Sequence, residues 1–516
     1  MMTIMLKRLA LVLVVASAPV LAQGLDLSKP PTTSWPTYNG DYSGRRFSPL
    51  KQIDAANVKG LSLAWLYPLP GGTKATPLMI DGVLYFATPD NAFAVEARTG
   101  RELWRFTWKS TGGIHIGNRG VAVLGDTVYF ETPDCHLVAL NIADGTERWH
   151  KTVCDLELFY YGSVAPTVVK NHVIVGVSGD DLDIPGYLEA RDPKTGEQQW
   201  RWWVVPQTRD EAGSDHWPSL DAMKHGGGMT WQPISYDPDL NLIYVTTGNP
   251  QPVIAHANRK GDNLFTGSIV ALNADTGKMV WYFQSSPHDT HDWDSTQPAV
   301  LFDGDFNGQP RKMIAQAARN GHFFVLDRTN GKALVSSEFV KTNWAKGYDA
   351  KGQPIPDPAK YPQIDGALVS PNQGGAANWP PTSFSPLTGL YYVNATRAFS
   401  VYYIYDPGDN PQGWGGTDRG GYAEQMLQAI DYKTGKIRWS HPWEGGSHVG
   451  ILTTAGNVLF TGGSGGLEAI NATTGDALWH SRIGNVTNGP ITYELDGLQY
   501  VVCSSNTAIV AFVMNK

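Results

Sequence analysis

Ile269-Val270-Ala271-Leu272-Asn273-Ala274-Asp275-Thr276-Gly277-Lys278-Met279-Val280-Trp281 decides the fold, because close variants of it return along most of the 516-residue chain. A β-branched, apolar run comes first, then Asn/Asp/Thr/Gly punctuation, then an alternating run ending in tryptophan. This is the pattern of two short strands around a tight turn. Gly277 supplies the positive φ that the turn requires. Glycine stands four residues before tryptophan at Gly100/Trp104, Gly145/Trp149, Gly196/Trp200, Gly277/Trp281, Gly435/Trp439 and Gly475/Trp479. A seventh copy, around Gly331, carries Val335 instead. The intervals of 45, 51, 81, 54, 104 and 40 residues fit units of forty to fifty residues with insertions and one unit that has lost the signature. Strand-rich repeats of this period are blades of a β-propeller. The expected fold is therefore all-β, an eight-bladed β-propeller in which each tryptophan docks one blade on the next. A single indole buries about 150–250 Å² in such a role.

A propeller grows by repetition, so the length fits one domain over residues 23–516. Residues 1–22 carry Lys7 and Arg8, an apolar run from Leu9 to Leu21, and Ala22 before Gln23. That is the pattern of a secretory signal peptide, which places the mature chain in the periplasm. No later stretch has the apolar length of a membrane span. A formal net charge of −8 argues against a nucleic-acid partner. Of three cysteines, Cys135 and Cys154 lie opposite each other in a simple hairpin register around Asp144-Gly145, where an oxidising compartment lets a suitable pair close. Cys503, in Val501-Val502-Cys503, reads as a small core hydrophobe.

Two insertions, residues 208–228 and 342–378, interrupt the repeat, and long loops on a rigid ring are where binding usually lies. The densest group of titratable residues is Pro287-His288-Asp289-Thr290-His291-Asp292-Trp293-Asp294. Three readings of it stay open on residue chemistry alone. Paired aspartates with carbonyls suit a hard cation, the His-x-x-His spacing suits zinc, and a carboxylate beside a metal suits a general base. Further acids follow a strand-like run at Asp180, Asp181 and Asp183, and Thr246-Thr247-Gly248-Asn249-Pro250 ends another. Strand ends of neighbouring blades meet at the mouth of the central channel, so one oxygen-rich site can draw on all three segments.

Arg46-Phe47-Ser48-Pro49-Leu50, Asn118-Arg119-Gly120, Ser178-Gly179 with Asp181, Gly226-Gly227-Gly228 to Trp231, Gly248-Asn249-Pro250, His288-Asp289 to Asp292 and Ala318-Arg319-Asn320-Gly321 form a set. Together with the tryptophan repeats, it resembles the periplasmic quinoprotein alcohol dehydrogenases that carry pyrroloquinoline quinone. The resemblance implies that Asp292 is the catalytic base, taking the substrate hydroxyl proton as hydride passes to the quinone, and that Arg319 polarises the quinone oxygens. It implies Asp181, Asn249 and Asp292 as metal ligands, with Asp294 matching the extra acid that accompanies a lanthanide rather than calcium. Trp231 resembles the floor on which the flat cofactor stacks, Arg119, Ser163 and Ser178 the positions that hold its carboxylates, and Asn378 one that touches its ring.

Three departures stand out. Gly113-Ile114 occupies the place of the family's adjacent cysteines, so that lid is absent or replaced by Ile114 and His115. Asp181 replaces a longer glutamate, and Lys74 falls where a cofactor-contacting glutamate is expected; a cation there can pair with a cofactor carboxylate. The sequence holds no Cys-x-x-Cys-His for covalent haem, so electrons are expected to leave to a soluble cytochrome c or similar carrier. The expected activity is oxidation of an alcohol or sugar hydroxyl. Two rivals are a propeller scaffold of the outer-membrane assembly type and a zinc-dependent lyase or hydrolase built on His288 and His291.

Overall fold

The computed structural model describes residues 26–179, 183–295, 297–405, 413–444 and 449–514. The expected signal peptide and Asp181 lie outside the described residues. The chain is all-β: among the described residues the only α-helix is Leu220–Lys224, capped by Ser219, whose hydroxyl accepts from the Ala222 N–H at 3.0 Å.

Each repeat forms the outer part of a sheet. Ser268–Asn273 pairs antiparallel with Met279–Gln284, and the register slips by one residue at Ala271/Leu272, directly after the turn. The turn is built by Asn273: its carbonyl accepts from the Gly277 N–H at 2.9 Å and its side chain from the Thr276 N–H at 3.1 Å. Gly277 sits at φ +66°, and a β-carbon there would come within 2.5 Å of the Trp200 indole. Glycine is thus fixed twice, by backbone conformation and by the ring of the preceding unit lying against it. The same approach recurs between Gly145 and Trp104 and between Gly475 and Trp439, while Gly435 meets Val335 and Ser337 of the copy that lacks the tryptophan. The Trp200 Nε1 donates to Ala274 O at 3.1 Å and the Trp281 Nε1 to Arg328 O at 3.0 Å, so each indole also satisfies its polar atom across the junction.

The strands group into eight sheets of four or five, plus one two-stranded hairpin. Sheet after sheet takes four consecutive strands, as in Leu78–Ile80, Val83–Thr88, Asn91–Glu96 and Glu102–Thr107. The exception joins the chain ends. Leu61–Pro68 pairs antiparallel with Ala508–Met514, completing the sheet of Ile491–Leu495 and Leu498–Ser504. Such pairing covers strand edges that would otherwise be exposed. The segment that reads as irregular is also tied in: Phe47–Ser48 runs parallel to Leu452–Thr454, and the buried Arg46 donates to Ile451 O, Tyr38 O and Pro490 O.

Apolar clusters fill the gaps between sheets, for example Ile174, Leu188 and Trp200 against Ile243, Val270 and Leu272. Burying one such indole contributes about 4–6 kcal/mol of gross transfer energy. Cys135 and Cys154 are joined as a disulfide, and Cys503 is buried and free. Both insertions fold onto the ring: Trp217 of the first donates to Leu264 O at 2.6 Å, and Trp344 of the second to Asn320 O at 2.8 Å.

Candidate functional site

Two groups of buried polar side chains meet at the ends of the strands. The first centres on Arg319. Its Nη1 donates to Asp294 Oδ2 at 2.7 Å and its Nη2 to Asp292 Oδ2 at 2.8 Å, with all three residues at most 6% exposed. Asp294 Oδ1 accepts from the Asn249 N–H at 3.0 Å. The acids arrive here because Asp289 folds their loop: its two carboxylate oxygens accept from the His291 N–H and the Trp293 N–H, and Asp292 takes φ +68°. Burial pushes the Asp294 carboxyl up, against the opposing pull of Arg319 and the Asn249 N–H. Burial also works against the charge on Arg319, but Asp292 and Asp294 outweigh it and hold the guanidinium above its ordinary value.

The second group forms an aromatic slot. The Arg119 guanidinium lies 4.5 Å from the centroid of Trp231 and 5.4 Å from that of Trp379, so it sits over both indoles. Its Nη1 donates to Ser163 Oγ at 2.7 Å, and Ser163 Oγ shares a 2.7 Å hydrogen bond with Ser178 Oγ. Lys74 Nζ lies 5.6 Å from the Trp379 ring centroid. Burial and the neighbouring Arg119 push the Lys74 ammonium down to about 8. Lys74, His115 and Trp379 line a cavity of about 540 Å³ at this end of the slot.

The loop 372–379 ties the two groups together. Gln373 O accepts from Arg319 Nη2 at 2.9 Å, the Gln373 amide donates to Asp292, and Trp379 closes the slot over Arg119. Asn378 is spent on this loop: its Nδ2 donates to Gly374 O at 2.8 Å and its Oδ1 accepts from the Trp379 N–H at 2.7 Å. A second buried cation, Arg259, sits behind the acids. It donates to Pro252 O, Val253 O, Asp289 O and Asn263 Oδ1, strapping the segment after Asn249 to the loop that carries Asp292.

Every described residue expected at the site lies in one of these two groups or on the loop between them. Gln373, Trp379, Asp289 and Arg259 were not expected. Trp379 had one signal, its place beside Asn378; Gln373 had none, because its role depends on a loop fold that no periodicity announces. The histidines face elsewhere. His288 shares hydrogen bonds with Gly261 O and His256 Nδ1, and His291 Nε2 with Lys360 O. Burial pushes His288 down to about 4 and His256 to about 3, so both rings are neutral at ordinary pH. Their nitrogens are engaged in packing the loop, away from the arrangement a zinc site needs. At Gly113, φ is +83° and a β-carbon would come within 2.0 Å of Pro133 O. This backbone has no room for a cysteine, Ile114 is half exposed, and His115 turns to Asp90 at 3.0 Å.

The residues fit both groups that the sequence implies. Asn249 Oδ1 is buried and has no hydrogen-bond partner among the described residues, beside two carboxylates, which is the hard-oxygen chemistry a metal ion takes. The slot offers two indole faces, two cations and paired hydroxyls, which suits a flat aromatic polycarboxylate.

The family model for the glucose/ethanol/alcohol dehydrogenase β-propeller domain matches residues 35–365. A quinohemoprotein alcohol dehydrogenase of Comamonas testosteroni is 40% identical, aligned over 91% of this chain and 72% of its own. The chain belongs to the pyrroloquinoline quinone-dependent alcohol dehydrogenase family. This dehydrogenase is also 38% identical to a quinoprotein alcohol dehydrogenase of Pseudomonas putida, over 89% of this chain and 83% of that one. The crystal structure of the Comamonas testosteroni enzyme superposes with a TM-score of 0.88 at 35% identity, covering 93% of this chain and 80% of that one. A europium-containing methanol dehydrogenase superposes with a TM-score of 0.85 at 26% identity, covering 95% and 99%. The all-β architecture is therefore a propeller, and the protein is an oxidoreductase. Residues 423–513 also match the outer membrane protein assembly factor BamB model, and BamB from Moraxella catarrhalis, at 13% identity and a TM-score of 0.50, shares the fold alone.

Proposed function

We propose that this dehydrogenase is a periplasmic enzyme that oxidises an alcohol or sugar hydroxyl with pyrroloquinoline quinone and one metal ion, and passes the electrons to a soluble cytochrome c. The observation that carries the reading is the buried Asp292–Arg319–Asp294 constellation beside the unpartnered oxygen of Asn249. A scaffold has no use for two buried carboxylates bridged by one guanidinium, since such burial opposes their charge.

When bound in the slot, pyrroloquinoline quinone supplies the electrophilic carbonyl that takes up hydride. Asp292 accepts the proton of the substrate hydroxyl, a role for a carboxylate kept ionised by an adjacent guanidinium. Arg319 balances the two carboxylates and directs its N–H groups toward the oxygens on which charge develops. Arg119, Lys74, Ser163 and Ser178 hold carboxylates against Trp231, and Asn378 fixes the ring edge. Asn249, Asp292 and Asp294, joined by Asp181, ligate the metal; the additional charge of Asp294 favours a trivalent lanthanide over Ca²⁺, and a more highly charged ion is the stronger Lewis acid. The eight sheets are read as eight blades over residues 23–516, docked by the tryptophans, with residues 1–22 removed as a signal peptide.

The test is reconstitution of cofactor-free protein with the quinone plus either calcium or a lanthanide, followed by dye-linked oxidation of alcohols and sugars. Activity that requires both quinone and metal is expected. Quinone binding without oxidation of any hydroxyl under either metal overturns the proposal.

A further inference from the structure

Beyond Trp379, away from the aromatic slot, lies a second cavity of about 410 Å³. It is walled by Trp379 and Trp443 and reached by Asn372, Asn394, Thr396 and Gln425, and among its described lining residues there is no Asp, Glu, Lys, Arg or His. Its polar side comes from a strand pair that outgrows the others: Leu390–Ile404 and Gly416–Asp431 run 15 and 16 residues. Thr396 and Gln425 are direct cross-strand partners and therefore share one face. Asn394 belongs to that face too, but its amide is occupied: Oδ1 accepts from Trp443 Nε1 at 3.0 Å, which holds the indole as a wall.

Two amide oxygens in this lining are buried without any hydrogen-bond partner among the described residues, Gln425 Oε1 and Asn372 Oδ1. An amide oxygen only accepts, so what completes it is a donor. An unmet buried acceptor costs about 1–3 kcal/mol, so these two are matched by water or ligand. The cavity equals the share of roughly a dozen waters, far more than a two-carbon alcohol fills. It also adjoins the reacting acid, because Gln373, which donates to Asp292 and accepts from Arg319, stands between the lining residues Asn372 and Gly374.

We propose that this cavity holds the non-reacting part of the substrate, and that the substrate class is a neutral polyol or cyclic sugar. The inference rests on the dehydrogenase reading above for the site it adjoins. Hydroxyl donors complete Gln425 and Asn372, and the C–H faces of the carbon chain or ring lie on Trp379 and Trp443. The missing ionic side chains exclude a charged sugar acid or amine, whose ion would be buried unpaired. A plain alkyl chain would leave both amide oxygens unmet.

The first arm measures kcat/KM of the reconstituted enzyme for sorbitol, glucose and 1-hexanol, in the wild type, Gln425→Leu and Thr396→Val. The ratio of polyol or sugar to hexanol should exceed one in the wild type and fall about tenfold in Gln425→Leu, the effect of one lost hydrogen bond to a buried partner. The isosteric Thr396→Val should move it the same way by less, and serves if Gln425→Leu does not fold. The second arm needs no turnover: saturation-transfer NMR on the cofactor-free full chain should detect sorbitol or glucose, with signal lost in either variant. A ratio below one, a ratio that neither variant moves, or a cavity that takes up hexanol in preference overturns the proposal. Failure of all oxidation with intact sugar binding would sink the dehydrogenase reading and leave the cavity assignment standing.

Discussion

Two arginines are buried in the same corner of the molecule, and they are held in opposite ways. Arg319 is 6% exposed and faces two carboxylates; Arg259 is fully buried and faces carbonyls and one amide. Their ionisation follows: the acids hold Arg319 above its ordinary value, while burial pushes Arg259 down to about 10, only partly countered by Asp289 and Tyr361. A cation whose partners are carbonyls fixes where chain segments lie, since a carbonyl cannot gain or lose charge. A cation whose partners are acids sits in a balance that a proton or a metal ion can shift. Arg259 thus holds together the segments that carry Asn249 and Asp292, and Arg319 takes part in what those residues do.

The sharpest way to break this distinction is to remove the charge of one acid and leave its shape. Asp292→Asn should lower kcat by about 10³-fold or more, the loss of a positioned base. The quinone should stay bound, because the Arg119 slot is untouched. Dye-linked kinetics with the absorbance of the bound cofactor reads both; a variant that keeps full turnover removes Asp292 from the chemistry. Replacing the arginines separates them next. Arg319→Met strands two buried carboxylates and should cost about 3–5 kcal/mol of stability at neutral pH. Arg259→Met strands carbonyls while relieving a desolvated cation, so its cost should be smaller, about 1–3 kcal/mol. Urea unfolding of the cofactor-free chains measures the order, and an equal loss in both would erase the contrast.

The outer ring was readable because its rule is local. A glycine four residues before a tryptophan encodes both the turn at Gly277 and the ring that the following unit receives, and the copy without the tryptophan was visible as Val335. The acids were readable as a cluster, Asp289 to Asp294, and as a resemblance, Asp292 with Arg319. What each side chain faces was not. Two histidines three apart look like ligands in a sequence, yet their nitrogens meet Gly261, His256 and Lys360, residues brought near by neighbouring strand ends. Arg259 reads as an ordinary surface arginine between Asn258 and Lys260, and only the fold shows it buried. The cavity beyond Trp379 depends on the pairing of Thr396 with Gln425, a register that no repeat announces.

Asp294 tests how far Arg319's balance depends on the second acid. In the proposed site Asp294→Ala removes one metal ligand and one partner of the guanidinium together. Metal affinity should fall about 10–100-fold, by analogy with lost supporting ligands, and more for a lanthanide than for calcium because the charge removed matters more to a trivalent ion. Titration of each metal into quinone-loaded protein reads the two affinities. An equal loss for both would mean that Asp294 serves only to seat Arg319.

The smallest effect expected belongs to Lys74, the one cation of the site whose charge changes near neutral pH. Its ammonium is pushed down to about 8 by burial and by Arg119, so below that pH it is charged in both folded and unfolded chains. Between about 8 and the ordinary lysine value the unfolded chain keeps a proton that the folded chain has released, so for this group alone stability rises with pH across that window. Binding runs the other way. A cofactor carboxylate attracts the charged form, so affinity of the cofactor-free protein for the quinone should be full below about pH 8 and fall several-fold as the pH rises through it. Lys74→Met should bind more weakly and lose this pH dependence, because the buried guanidinium of Arg119 keeps its charge throughout the range. Equilibrium dialysis from pH 6.5 to 9.5 separates the cases: a wild-type profile as flat as that of Lys74→Met would show that the carboxylates rest on Arg119, Ser163 and Ser178 without help from Lys74.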